Sequence, residues 1–164
     1  MFNLIKSLFD ICQLKKAPQD LPHSINLLKI VLIANLLVNF LQSNLSIYWF
    51  SALLKAVVGV LLIGGFSWIS LFFSRKMPRF YQTTTALLGT DTLIGVFMLP
   101  VIATMSLGQG GTLAFLVMIS LIIWYWIITG HIMRNALEES LSFGLGLAFL
   151  YLLVSYWVTA VIVS

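Results

Sequence analysis

Five apolar runs, each close to the length of a bilayer-spanning helix, constrain this chain more than any other feature. They lie at about Ile25 to Leu41, Trp49 to Phe73, Thr85 to Leu107, Thr112 to Met133 and Leu141 to Val163. A helix rising 1.5 Å per residue needs about 20 apolar residues to cross a hydrocarbon core about 30 Å thick. Of the 164 residues 60% are hydrophobic and only 9% charged, against about 25% charged in an ordinary soluble domain. The sequence therefore predicts an all-α, polytopic transmembrane bundle of residues 25–163. An interfacial segment, residues 1–24, precedes it. The first run is the shortest and contains Asn35 and Asn39, so its boundary is the least defined.

Charge placement orients the runs. Lys6, Lys15, Lys16, Lys29, Arg75, Lys76, Arg79 and Arg134 fall at one end, and only Lys55 among the nine basic residues does not. The connections at the other end, Gln42 to Ile47 and Gly108 to Gly111, carry no charge. Positive residues favour the cytoplasmic side, which predicts a cytoplasmic N-terminus and, after five spans, an outside C-terminus, in a membrane such as the bacterial inner membrane. Scattered through apolar sequence, these charges form no nucleic-acid-binding patch.

Met1 to Cys12 places Met1, Leu4, Ile5, Leu8, Phe9 and Cys12 at helical spacings of three and four. This amphipathic helix is too short to span. It is expected at the membrane interface or on the protein's own cytoplasmic surface, with Lys6, Lys15 and Lys16 toward anionic lipid. Lys6 and Asp10 interrupt any leader-like apolar run, so the segment does not read as a cleavable signal. Pro18 and Pro22 break the helix.

Ionisable groups inside spans are the functional candidates, because each costs about 2.5 to 3.5 kcal/mol at mid-span. Lys55 lies six residues inside Trp49, about 9 Å deep, and Asp91 ten residues beyond Tyr81, about 15 Å deep. In a core about 30 Å thick these depths differ by about 6 Å, so a Lys55–Asp91 pair is expected, as a structural ion pair or part of a proton or ion pathway. Pairing of Asp91 with Lys29 or His131 is the remaining option; those two otherwise read as snorkelling or interfacial groups. Hydroxyl and small residues around Asp91, from Thr83 to Gly95, favour close helix packing, as do Gly59, Gly64, Gly65 and the Ser142/Gly146 and Gly144/Ala148 pairs. Pro100 is expected to kink the third span. Trp124, Tyr125 and Trp126 point in three directions, so one ring is expected toward lipid or another subunit. Arg134 and Glu138, four apart, are expected to pair.

Motifs for nucleotide binding, serine hydrolysis and zinc proteolysis are missing, and Cys12 is the only cysteine. The sequence predicts no enzyme, no cofactor and no metal site. The five close spans, together with Ala17-Pro-Gln-Asp-Leu-Pro22 before the first of them, resemble the Yip1-type membrane proteins and small bacterial membrane proteins of that superfamily. The eukaryotic family's Asp-Leu-Tyr-Gly-Pro motif and Gly-Tyr dipeptide are missing, so binding to small GTPases does not carry over. The resemblance implies a non-enzymatic accessory or scaffold protein acting through lipid, other membrane subunits or self-association. The competing expectation is a small channel or carrier using Asp91 and Lys55.

Overall fold

The computed structural model describes residues 2–163 and contains six α-helices: α1 (Phe2–Cys12), α2 (Ile25–Asn44), α3 (Trp49–Phe73), α4 (Phe80–Ser106), α5 (Thr112–Leu137) and α6 (Leu141–Val163). Single 3-10 turns at Pro18–Asp20 and Met77–Arg79 lie in the connections. Five helices, α2 to α6, are long and apolar enough to cross a membrane, and the chain is an integral membrane protein. Met1, assigned to the apolar face of α1, and Ser164, the expected outside terminus, lie outside the described residues.

Helix packing runs α2 to α3, α3 to α6, α6 to α5, α5 to α4 and α4 back to α2, a closed ring of five, with α3 also touching α4 across it. Because α1 packs on α4 as well, the inner part of α4 is enclosed on all sides and every residue from Thr83 to Thr90 is buried. That enclosure suits the hydroxyl and small residues there: Thr84, Thr90 and Thr92 find partners in a neighbouring helix or in their own preceding turn, while Thr83 Oγ1 is buried without one among the described residues. Thr84 Oγ1 meets Ser67 Oγ of α3 at 2.9 Å, and Thr90 and Thr92 donate to Ala86 and Leu88 carbonyls one turn back.

The basic end is tied by short polar contacts between the connections. Ser24 caps α2 by accepting from the Leu27 amide, and Gln82 donates to the Leu21 carbonyl. Glu138 is gripped by Lys76, at 2.7 Å, and by Arg79. The expected Arg134–Glu138 pair does not form. Glu138 is the first residue past α5 and adopts a left-handed conformation (φ 55°), which turns its side chain off the helical register and toward the α3–α4 connection.

Helix α1 follows the second of its two expectations: it packs on the protein itself, burying Leu8, Ile11 and Cys12 against the bundle. Its last carbonyl, on Cys12, accepts from Trp124 Nε1 at 3.0 Å, and Trp124 lies 13 residues, about 20 Å, inside the Leu137 end of α5. Gly89 provides the opening: a Cβ there would sit 2.6 Å from Leu8 Cδ2. Of the other glycines, Gly95, Gly130 and Gly144 are close-approach sites, whereas Gly59, Gly64, Gly65 and Gly146 face open space and do not support the close packing expected of them. Pro100 lies within α4, which continues to Ser106.

Candidate functional site

Asp91 occupies the middle of α4, where the carboxylate would be costly without donors. Asn35 and Asn39, four residues apart and therefore on one face of α2, supply them: their Nδ2 groups lie 2.8 and 3.0 Å from Asp91 Oδ2. The Asn35 amide also donates to the Leu88 carbonyl at 3.1 Å and approaches Thr92 Oγ1 at 3.2 Å, while Asn39 Nδ2 reaches Asn35 Oδ1. Asn35 is fully buried. One turn further along α2, Gln42 Nε2 donates to the Gly95 carbonyl at 2.6 Å, continuing the α2–α4 seam.

From α5, Tyr125 lies beside Asp91 and Tyr151, and Tyr151 of α6 in turn approaches Ser155. The Tyr151 ring is held by stacking on Phe66 of α3, with centroids 4.7 Å apart. Asp91 thus faces polar side chains from α2, α5 and α6 at one depth.

Asn39, Asp91, Tyr125, Tyr151 and Ser155 line a cavity of about 340 Å³ that also takes in Lys55 and Gly59 of α3 and Thr159 of α6. A smaller cavity of about 210 Å³ shares Asn39, Ser43 and Lys55 with it and reaches Ser46 and Ile47 in the uncharged α2–α3 connection. All five spans therefore contribute polar side chains to one space that extends from mid-bundle toward the uncharged end. On the other side of Asp91 the helices close with packed side chains, apolar ones together with the buried hydroxyls of Thr90 and Thr129. Leu87 and Leu88 of α4, Ile128 and Ile132 of α5 and Ile11 of α1 are all at most 2% exposed.

Lys55 and Asp91 border the same cavity, but the direct pair expected from sequence does not form. Among the described residues the ion pairs are Lys16–Asp10, Lys76–Glu138 and Arg79–Glu138. The helices overshoot the hydrocarbon thickness, so depths counted from their opposite ends mislead. Lys55 lies 18 residues before Phe73 and Asp91 lies 11 after Phe80, about 27 and 16 Å from the basic end. That leaves about 10 Å between their levels. Lys55 is half-buried, and its ammonium has no hydrogen-bond or ion-pair partner among the described residues.

The other candidates go elsewhere. Lys29 is exposed on α2, away from Asp91. His131 Nε2 lies 3.1 Å from the Lys16 carbonyl and 3.2 Å from Asn135 Nδ2, so it pins the segment after α1 to α5. Lys6 and Lys15 are exposed, and Lys16 is paired with Asp10 at 3.1 Å. The Trp124, Tyr125 and Trp126 side chains are all half-buried: Trp124 donates to the Cys12 carbonyl, Trp126 donates to the Leu145 carbonyl at 2.9 Å, and Tyr125 lines the cavity beside Asp91. An indole in a bundle needs a partner for its polar hydrogen, and adjacent elements supply one to each tryptophan.

Outside the spans, Lys76 and then Arg79 hold the Glu138 carboxyl well below its ordinary value, at about 2. Burial pushes the Cys12 thiol up to about 11. No group of three or more metal-ligating side chains occurs among the described residues. Sequence reasoning reached Asp91 and Lys55 but not Asn35, Asn39, Tyr151 or Ser155 as their companions. The spacing of four between the two asparagines was the available signal. No protein-family model, curated protein or solved structure matches the chain.

Proposed function

We propose that this is a non-enzymatic carrier that binds a small, cation-bearing solute on Asp91 in the middle of the membrane. The basic end faces the cytoplasm by the positive-inside rule, in a bacterial inner membrane, and the cavity takes its solute from outside. The observation that carries the reading is the convergence of polar side chains from all five spans on one cavity around a mid-bundle aspartate. Polar groups inserted only to glue helices together would be expected to close on one another, because empty polar space in a membrane is costly. Here the acceptor instead borders open volume on one side and closely packed side chains on the other, as one-sided access requires.

The accessory-subunit reading rests on helix contacts in the bilayer and on the basic N-terminal segment; of its candidate interface side chains, Trp124 and Trp126 are hydrogen-bonded within the chain. The resemblance to Yip1-type proteins implies no covalent chemistry, and the carrier reading keeps that feature.

The test is uptake of two radiolabelled ammonium-bearing solutes, ethylamine and β-alanine, into liposomes containing the purified protein, for the wild type and Asp91→Asn. Saturable wild-type uptake of either that is lost in a variant with an unchanged size-exclusion profile supports the carrier. Equal uptake by both proteins, or none of either solute above empty liposomes, overturns it.

A further inference from the structure

The cavity carries two opposite charges that do not neutralise each other. Asp91 borders it at mid-bundle and Lys55 borders it nearer the uncharged end, with no ion pair between them. Among the described residues Asp91 accepts from amides alone, which carry no charge to offset a carboxylate. Lys55 has no acceptor at all among the described residues. A simple cation approaching Asp91 must pass Lys55 and be repelled by it. A simple anion attracted by Lys55 meets Asp91 beyond. A molecule carrying both charges is attracted at both ends, and it matches the neutral sum of the two side chains.

We propose, resting on the carrier reading above, that the solute is a small zwitterion, with its ammonium seated on Asp91 and its anionic group on Lys55. The remaining lining suits such a molecule. Ser43, Ser155 and Thr159 add hydroxyls to the lining, and Asn39 adds an amide. At about 340 Å³ the cavity falls at the small-ligand end of the usual range of binding sites. Gly59 leaves the wall of α3 bare, with nothing within 4 Å of where a Cβ would stand. The same chemistry could come from a free amino-acid-like solute or from the phosphoethanolamine headgroup of a lipid.

The experiment is equilibrium binding to the purified full-length protein in phosphatidylglycerol nanodiscs. The free probes are alanine, β-alanine, γ-aminobutyrate and phosphoethanolamine, which differ in charge separation, with ethylamine and propionate as single-charge controls. A parallel arm adds phosphatidylethanolamine to the nanodiscs. At least one zwitterion should bind more tightly than either control. Lys55→Met and Asp91→Asn should each weaken that zwitterion by about 10- to 100-fold, the loss of one charge-assisted contact. Gly59→Leu, which projects into open space and favours the helix, should abolish binding in a folded protein. Binding seen only in the lipid arm supports the inference and assigns the zwitterion to a headgroup. If ethylamine binds as tightly as the best zwitterion and Lys55→Met changes nothing, the zwitterion is overturned while the Asp91 cation site stands. If no probe in either arm binds the wild type, both fall.

Discussion

A carboxylate at mid-bundle persists when neighbouring donors replace the water it gave up, and the donors must be placed before the charge can be. Asn35 and Asn39 do this for Asp91 from a single face of α2. Removing one leaves the acceptor under-supplied, whereas removing both sides of the interaction leaves nothing unsatisfied. Asn35→Leu should therefore destabilise the protein in detergent unfolding, and Asp91→Leu introduced with it should recover part of the loss. The coupling should be on the order of 1–2 kcal/mol, between values typical of membrane hydrogen bonds and of bonds to charged groups. Additive effects would show that the contact contributes nothing. Glu138 offers a pH test at the same scale. Its folded pKa, about 2, lies below the ordinary 4.5, so its pairing with Lys76 and Arg79 stabilises fully above pH 4.5 and is lost as pH falls toward 2. The melting temperature of wild type should exceed that of Glu138→Gln at pH 6, and the gap should close on acidification. Asp91 and Lys55 were legible in the sequence because ionisable residues stand out in apolar runs. Their true companions were not, because an asparagine or tyrosine in a span has many uses until the neighbouring helix is known.

Elements explain which small residues matter. The α5–α6 pair is held at close range by glycines on both helices. A Cβ at Gly130 would stand 2.6 Å from Leu145 Cδ2, and one at Gly144 would strike the Gly130 carbonyl. Backbone cannot yield as a side-chain tip can, so Gly144→Ala should destabilise by about 1–3 kcal/mol. Gly64→Ala, in open space, should be neutral or slightly stabilising, since alanine is the better helix former. Thermal unfolding of the two variants side by side checks the contrast; equal effects would mean that α5 and α6 do not meet at Gly144. In sequence the two glycines look alike, because spacing along one helix does not say which face meets a partner. Element limits fared better. The second and fifth spans are α3 and α6 as expected, while α4 starts at Phe80 rather than Thr85, and α2 and α5 end three and four residues later than the expected Leu41 and Met133. Polar residues in these extensions, such as Gln42, Asn44 and Asn135, weaken a hydropathy signal without breaking a helix. For α1 the sequence showed an amphipathic face but not its destination, since burial against Gly89 and burial in lipid select the same apolar residues.

At the scale of the whole molecule, length and hydropathy determine that there are five spans, and the closed order of their packing brings polar positions 35, 39, 55, 91, 125 and 151 to one interior. The polar lining makes that interior reachable by water from the uncharged end, and helix α6 permits a direct comparison. Ser155 borders the cavity, whereas Leu153, two residues away and at nearly the same depth, is 42% exposed on the outer surface, where lipid would lie. Maleimides react with thiolates, which form in water and not in hydrocarbon. Native Cys12 makes little background, because it is 2% exposed and its thiol is pushed up to about 11. In intact cells Ser155→Cys should react with a membrane-impermeant maleimide from outside, and Leu153→Cys should not. Reaction of Ser155→Cys only in inverted vesicles would reverse the orientation assigned from the basic residues. Equal protection of both positions would mean that the space around Asp91 is dry, and with it the route by which a charged solute enters would be lost.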